Sequence, residues 1–339
     1  MKRRSFIAGS LAVAAASGLA RPAILRAQSG EKTLRMGHIF PESHPYQKGL
    51  ERFRDELSRL TDGAINVEVY SSSQLGGEIE MLGGMKLGTI DGCACGVSHV
   101  ATSDNIRKFY LLDMPFLFKD FAAIESFFSS ELASEFFGDL PEAAGLRIVA
   151  NGTAGFHQIL NSKRPIVEPK DLSGLKIRIW ESPSAILALE IMGMTPTPMA
   201  FSEVFTSIQQ GVIDGITNSL TTFYTTKLYE TAKYVSITNH MYVFIPIIVS
   251  EHVFQSLDSD EQAAVLKAGE AAGQYWRNLY ATDDEKHAAL LEQVGVEINR
   301  ADVEAFRAHV EKGYDRFVEL VAQPGTEELV ERLKSVGGF

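Results

Sequence analysis

Cysteine is nearly absent: the 339 residues hold only Cys93 and Cys95. At i and i+2 on a strand the two face the same way, too far apart for an unstrained bridge, and no CxxC or metal-ligand spacing surrounds them. They read as small buried residues, which excludes a disulfide framework as the source of stability. Positive charge is also short, with 32 Lys and Arg against 43 Asp and Glu. Such an acidic body repels nucleic acid and anionic lipid, so neither is expected as a partner. Beyond the first residues no apolar run is long enough to span a membrane. GxGxxG, Walker A, GxSxG and HExxH orders are all missing, and the eight histidines are scattered without metal-ligand spacing. Nothing recommends a nucleophile, a metal or a cofactor. The expectation is a protein that binds a ligand and is not an enzyme.

The opening "MKRRSFIAGSLAVAAASGLARPAILRA" has a character of its own. Lys2, Arg3 and Arg4 precede a small-residue apolar run over 6–20, there is no acid, and a plausible cut lies at Ala27-Gln28. This is the pattern of an export signal over residues 1–27. The order Arg3-Arg4-Ser5-Phe6-Ile7 fits a twin-arginine signal, with the Sec route left open. The run is too short, and too rich in Ala, Gly and Ser, for a comfortable membrane anchor. Cleavage removes five cations and no acid, taking the formal charge from −11 to −16. The mature chain is therefore expected in the periplasm, without membrane insertion.

With 45% hydrophobic and 22% charged residues, the rest has an ordinary globular composition. "TLRMGHI" (33–39) reads as a strand. A helix follows with apolar residues at Tyr46, Leu50, Phe53, Leu57 and Leu60, entered at His44-Pro45 and closed by Asp62-Gly63. "AINVEVY" alternates as a strand, a short helix runs through Met81 and Leu82, and "IDGCACGV" is the next strand. The same grammar recurs in "LKIRIW", a helix started by Ser182-Pro183, "TPTPM", a helix after Ser202, and "VIDGITN". Two β-α-β-α-β blocks imply parallel strands with helical crossovers. Helices are further expected over 120–137, 259–291 and 303–321. "YVFIPIIVS" reads as a buried strand that Pro246 demotes to an edge or a bulge. No Gly-, Ser- or Pro-rich linker separates the blocks, so a ligand is expected in the cleft between them, beside the carboxyl ends of strands.

Arg178, in "SGLKIRIWESP", is the clearest candidate for recognition. A guanidinium is a fixed, permanently charged fork matched to a carboxylate, and this one sits on a strand that would hold it. Spacing alone leaves it equally well explained as an exposed sheet-face residue. Asn218, at a strand end in "DGITNSL", suits a turn as well as a ligand. Phe201 could be core or cleft wall, and His157, in "GFHQILN", suits a structural hydrogen bond as well as a ligand contact.

In order along the chain, "SSSQLGGEIEM" (71–81), "NSKRPI" (161–166), "DLSGLKIRIW" (171–180), "GMTPTPMAFSEVFTSIQQGVIDG" (193–215) and "KLYETAKYVSITNH" (227–240) resemble the DctP-type substrate-binding proteins of tripartite ATP-independent periplasmic (TRAP) transporters. The resemblance runs from about residue 33 to the C-terminal helices. It implies the α/β periplasmic-binding-protein fold: two interleaved lobes, a central cleft and a long connecting helix. On that pattern lobe I takes 32–155 with about 244–283, and lobe II takes 156–243 with about 284–339. The implied partners are a small organic acid and the membrane permease that receives it. By matching motif, Arg178 would bind the ligand carboxylate, with Asn218, Phe201 and Glu78 beside it. The chain departs from the pattern where a second arginine is common. His157 stands there, or Gln158 on a one-residue shift. It departs again at Trp180-Glu181, where an acid near the clamp would suit ligand hydroxyls. A hydroxylated monocarboxylate or sugar acid is therefore expected over a dicarboxylate. The receptor of an ATP-driven importer and an exported α/β hydrolase remain alternatives on the sequence.

Overall fold

The computed structural model describes residues 32–104 and 106–338. The expected export signal, residues 1–27, lies outside them. Eleven strands occur among the described residues: β1 Lys32–Gly37, β2 Ile65–Tyr70, β3 Gly92–Ala94, β4 Leu146–Ala150, β5 Thr153–Asn161, β6 Lys176–Ile179, β7 Thr195–Pro198, β8 Gly215–Asn218, β9 Tyr234–Phe244, β10 Ile247–Ser250 and β11 Glu297–Arg300. They form two sheets, one of five strands in the order β2-β1-β3-β10-β4 and one of six in the order β11-β9-β5-β8-β6-β7.

Each sheet is nucleated by one of the two expected blocks. β1 pairs in parallel with β2 and β3, and β6 pairs in parallel with β7 and β8, so the two blocks share one topology. Helical crossovers between parallel strands enforce this arrangement. In the first block the helix Pro45–Leu60 buries Tyr46, Leu50, Phe53 and Leu57, and the His44 ring accepts a hydrogen bond from the Tyr46 amide as its cap. In the second, Pro183 opens the helix Pro183–Met192 as expected. The Ser182 hydroxyl, however, bonds the Ser184 hydroxyl at 2.9 Å instead of capping an amide.

The chain passes between the sheets three times: from β4 into β5, from β9 into β10, and from β10 by way of intervening helices into β11. Pro246 stands in the second passage. β10 is not the edge strand that Pro246 suggests, because it lies between β3 and β4 and pairs antiparallel with both. The proline falls where the chain leaves one ladder for the other, so its missing N–H costs no sheet hydrogen bond. The register against β4 shifts immediately afterwards, between Ile247 and Ile248. The helix expected over 120–137 is two helices, Phe121–Phe128 and Glu131–Phe137, because the Ser130 hydroxyl donates to the Phe127 carbonyl and ends the first. At the C-terminus Val303–Val310 and Asp315–Val321 are followed by a further helix, Thr326–Gly337.

One helix, Ser259–Gln293, spans 35 residues, about 50 Å at 1.5 Å per residue. The Asp258 carboxylate accepts from the Asp260 and Glu261 amides, and Glu261 returns the bond to the Asp258 amide. Its Trp276 is fully buried, edge-on to Tyr46 at 4.9 Å. Gly152 lets that ring meet the first passage between the sheets. A Cβ there would stand 2.5 Å from both the Trp276 ring and the Ile245 carbonyl oxygen. Gly152→Ala should destabilise the mature chain by about 1–3 kcal/mol in urea unfolding. An unchanged midpoint would mean that the ring can move aside.

Candidate ligand-binding site

A narrow cavity with about 30 Å³ of free volume lies where the carboxyl ends of the two blocks face each other. Ile39 and Phe40 follow β1, Gly96, Ser98 and His99 follow β3, and Phe201 follows β7. β6 supplies Arg178 and leads into Trp180, and β8 ends on Asn218. The strands nearest the passages, β5 and β9, contribute Ala154, His157 and Val243.

Six of the seven residues expected at the site line this cavity: Arg178, Asn218, Phe201, His157, Trp180 and Glu78. Glu181 does not. It is exposed just beyond Trp180, on the solvent side of the turn into the next helix, and acts on Arg178 only through distance. The acid close to the clamp is Glu78. Gln158 faces away from the cavity, where its side chain ties down the Thr238 and Asn239 amides and the Asn239 side chain. Of the two, His157 is therefore the one that lines the cavity. Strand alternation sends neighbours to opposite faces, which decides between the two.

Arg178 is 4% exposed. Its Nε and Nη2 donate to the Met199 carbonyl oxygen at 3.0 and 2.8 Å, and its guanidinium carbon lies 5.7 Å from the Phe201 ring centroid. Burial lowers its pKa to about 10, opposed by Glu78, Glu181 and Glu203, so it remains a cation at neutral pH. Among the described residues it has no carboxylate partner at ion-pair distance. Asn218 is oriented by its neighbour: its Oδ1 accepts the Ser219 amide at 2.8 Å, leaving Nδ2 as the free, donating end. Arg178 and Asn218 together make a donor-only corner.

The opposite wall accepts. Glu78 begins the helix Glu78–Lys86, takes the Gly96 amide on Oε1 at 2.9 Å, and holds Oε2 3.4 Å from His99 Nε2. The Trp180 indole donates to Ser98 Oγ at 2.9 Å, and its ring stands edge-on to His157 at 5.7 Å. His157 Nδ1 lies 3.3 Å from Thr217 Oγ1, while its buried Nε2 has no hydrogen-bond partner. Burial pushes the His157 pKa well down, with His240 and Arg178 adding to the effect, so the ring is neutral. Glu78, Cys95 and His99 place donor atoms within 4.8 Å of one another, a set that could contact a metal. Burial pushes the Cys95 thiol well up and so disfavours the thiolate a metal needs. The group fits hydrogen-bond support of Glu78 better.

Phe40, Tyr46, Ser98 and His99 were not singled out from the sequence. The signal available was positional: they lie at or just beyond the carboxyl ends of the first block, as Arg178 and Asn218 do in the second. Contacts across the cleft join the two sides. Phe40 meets Phe201 edge-on at 4.6 Å, His44 Nε2 lies 3.1 Å from Thr222 Oγ1, and Trp180 bonds Ser98.

Behind Ser98 lies Asp113, buried and, among the described residues, without a cationic partner at ion-pair distance. Its carboxylate receives the Ser184 hydroxyl at 2.6 Å and a bond from Ser98. Burial raises its pKa from 3.8 to about 7 despite both hydroxyls. An acid with a raised pKa binds its proton more tightly in the folded state, so the native chain loses stability as pH rises between those values. Asp113→Asn removes that slope. The variant's urea midpoint, measured relative to wild type, should climb from pH 4 to pH 7, and a parallel dependence in both proteins would show that Asp113 does not titrate there.

The sequence profile of bacterial extracellular solute-binding protein family 7 matches residues 36–320. The 2,3-diketo-L-gulonate-binding periplasmic protein of Escherichia coli is 32% identical over 303 residues, covering 88% of each chain. Among solved structures, a TRAP periplasmic solute-binding protein of Roseobacter denitrificans with bound L-galactonate is 33% identical at a TM-score of 0.81, covering 90% of this chain and 99% of that one. A TRAP periplasmic solute-binding protein of a Sulfitobacter species with bound β-D-galacturonate is 27% identical at a TM-score of 0.84, covering 90% and 100%.

Proposed function

The chain belongs to bacterial extracellular solute-binding protein family 7 and is a DctP-type receptor of the TRAP class; from that premise we propose that it captures a hydroxylated monocarboxylate, a sugar acid, in the periplasm and hands it unaltered to a TRAP permease. The observation that carries the reading is Arg178. It is a buried guanidinium tethered along one edge to the Met199 carbonyl, facing a cavity, with Asn218 Nδ2 beside it. Donors fixed in a low-dielectric pocket match one carboxylate, and closure strengthens that pairing by excluding water. Glu78, an acceptor-only group on the far wall, favours hydroxyls there and repels a second carboxylate. The sugar acids bound by the relatives from Roseobacter denitrificans and Sulfitobacter support the same class.

In this reading lobe I comprises 32–155 with about 244–283 and lobe II 156–243 with about 284–339, hinged where the chain passes between the sheets. The cross-cleft contacts of Phe40, His44 and Trp180 belong to the closed state, which the ligand favours through its higher affinity for it. No helix of the described residues is long and apolar enough to cross a membrane, which accords with a separate permease.

A thermal-shift screen of the mature chain should single out sugar acids, since binding to the native state raises its stability. Arg178→Ala should keep the native circular-dichroism spectrum and lose about 100-fold or more in affinity by calorimetry. Arg178→Lys should also bind poorly, because the planar fork is gone. Full affinity in Arg178→Ala, or a dicarboxylate bound far more tightly than every monocarboxylate, would overturn the reading.

A further inference from the structure

Two buried imidazole nitrogens without hydrogen-bond partners, His157 Nε2 and His99 Nδ1, belong to residues that line the same cavity. Both side chains are more than nine-tenths buried, at 2% and 5% exposure. A buried polar atom left unpaired is costly, and natural structures keep few of them without a reason. The two sit on opposite sides of the cleft. His157 is on β5, close enough to Arg178 to feel its charge, and His99 follows β3 and faces Glu78.

We infer that these two nitrogens read the ligand's hydroxyl groups, so that the ligand is a chain or ring bearing O–H both near its carboxylate and at its far end. This rests on the receptor reading above and adds the contacts that distinguish a polyhydroxylated acid from a plain one. At His99, the nearby Glu78 carboxylate can only accept, so the proton belongs on Nε2. Nδ1 is then a lone pair that takes a donor in the neutral ring and an N–H that takes an acceptor in the cation, and a hydroxyl satisfies either. At His157 the ring is neutral and Nδ1 faces the Thr217 hydroxyl, which can donate or accept. Nε2 is thus a donor or an acceptor, and a hydroxyl satisfies either state. An arginine in its place would have demanded a second anion. An unsubstituted acid of the same length would leave both nitrogens unpaired in a dry pocket, and sites built for a hydroxyl reject the analogue lacking it strongly.

The test is calorimetry of the mature chain with aldonates and uronates of four to six carbons, each against the unsubstituted acid of equal length, hexanoate for the six-carbon compounds. Wild type should prefer its best hydroxylated acid by about 100-fold or more. His157→Phe and His99→Phe should each reduce that preference about tenfold, and His157→Gln and His99→Gln should restore part of it. Nitrogen-15 spectra of imidazole-labelled wild type, which need no variant to fold, should move His157 Nε2 and His99 Nδ1 on adding the preferred acid. Equal binding of both acids by wild type, or ring nitrogens that stay put, overturns the inference. Failure of the carboxylate clamp looks different: Arg178→Ala would keep its affinity while the histidine variants still lost their preference for hydroxyls.

Discussion

A guanidinium taken out of water must be compensated, and how Arg178 is compensated organises the rest of the site. The protein supplies a carbonyl dipole from Met199, the face of Phe201 and the charge of Glu78 at a distance, but among the described residues no carboxylate in contact. Dipoles hold the fork in place without neutralising it, so its charge is kept at the cavity. The Ser219 amide does the same for Asn218 by taking up its oxygen and leaving its nitrogen free.

The two similar blocks explain why these groups converge. A parallel strand followed by a helix presents its carboxyl end as a rim of loops and helix starts, and two such rims set face to face enclose a cavity. The passages at Asn151-Gly152 and Ile245-Pro246, and the helix Ser259–Gln293 beside them, connect the two rims. Gly152 against Trp276 and Gly269 against the Val149 carbonyl are close approaches in that connection.

Much of this was legible in the chain. The block order, the parallel pairing and the long helix follow from periodicity and caps, because helix and strand spacing are local properties. Arg178 stood out because an arginine on a short strand between apolar neighbours is unusual chemistry in a recognisable motif. Glu181 misled because charge can be read from sequence while direction at a strand end cannot; one residue beyond Trp180 the side chain points to water. Of the two outcomes Pro246 suggested, an edge or a bulge, the chain takes the second, with a register shift just after the residue where it changes sheets. The division at Ser129-Ser130 was hidden by phenylalanines that kept a helical spacing across it.

By itself the sequence determined most of the elements, the acidic body, the family and Arg178 as a candidate, since each depends on residue types at short range or in a motif. Only the tertiary structure decided that His157 and not Gln158 enters the cavity, that Glu78 and not Glu181 is its acid, and that Ser98 and His99 complete the wall. Those outcomes depend on which face of a strand meets the other lobe, and on residues more than fifty positions apart brought within a hydrogen bond of each other. Such distances are set by packing, which no local pattern encodes.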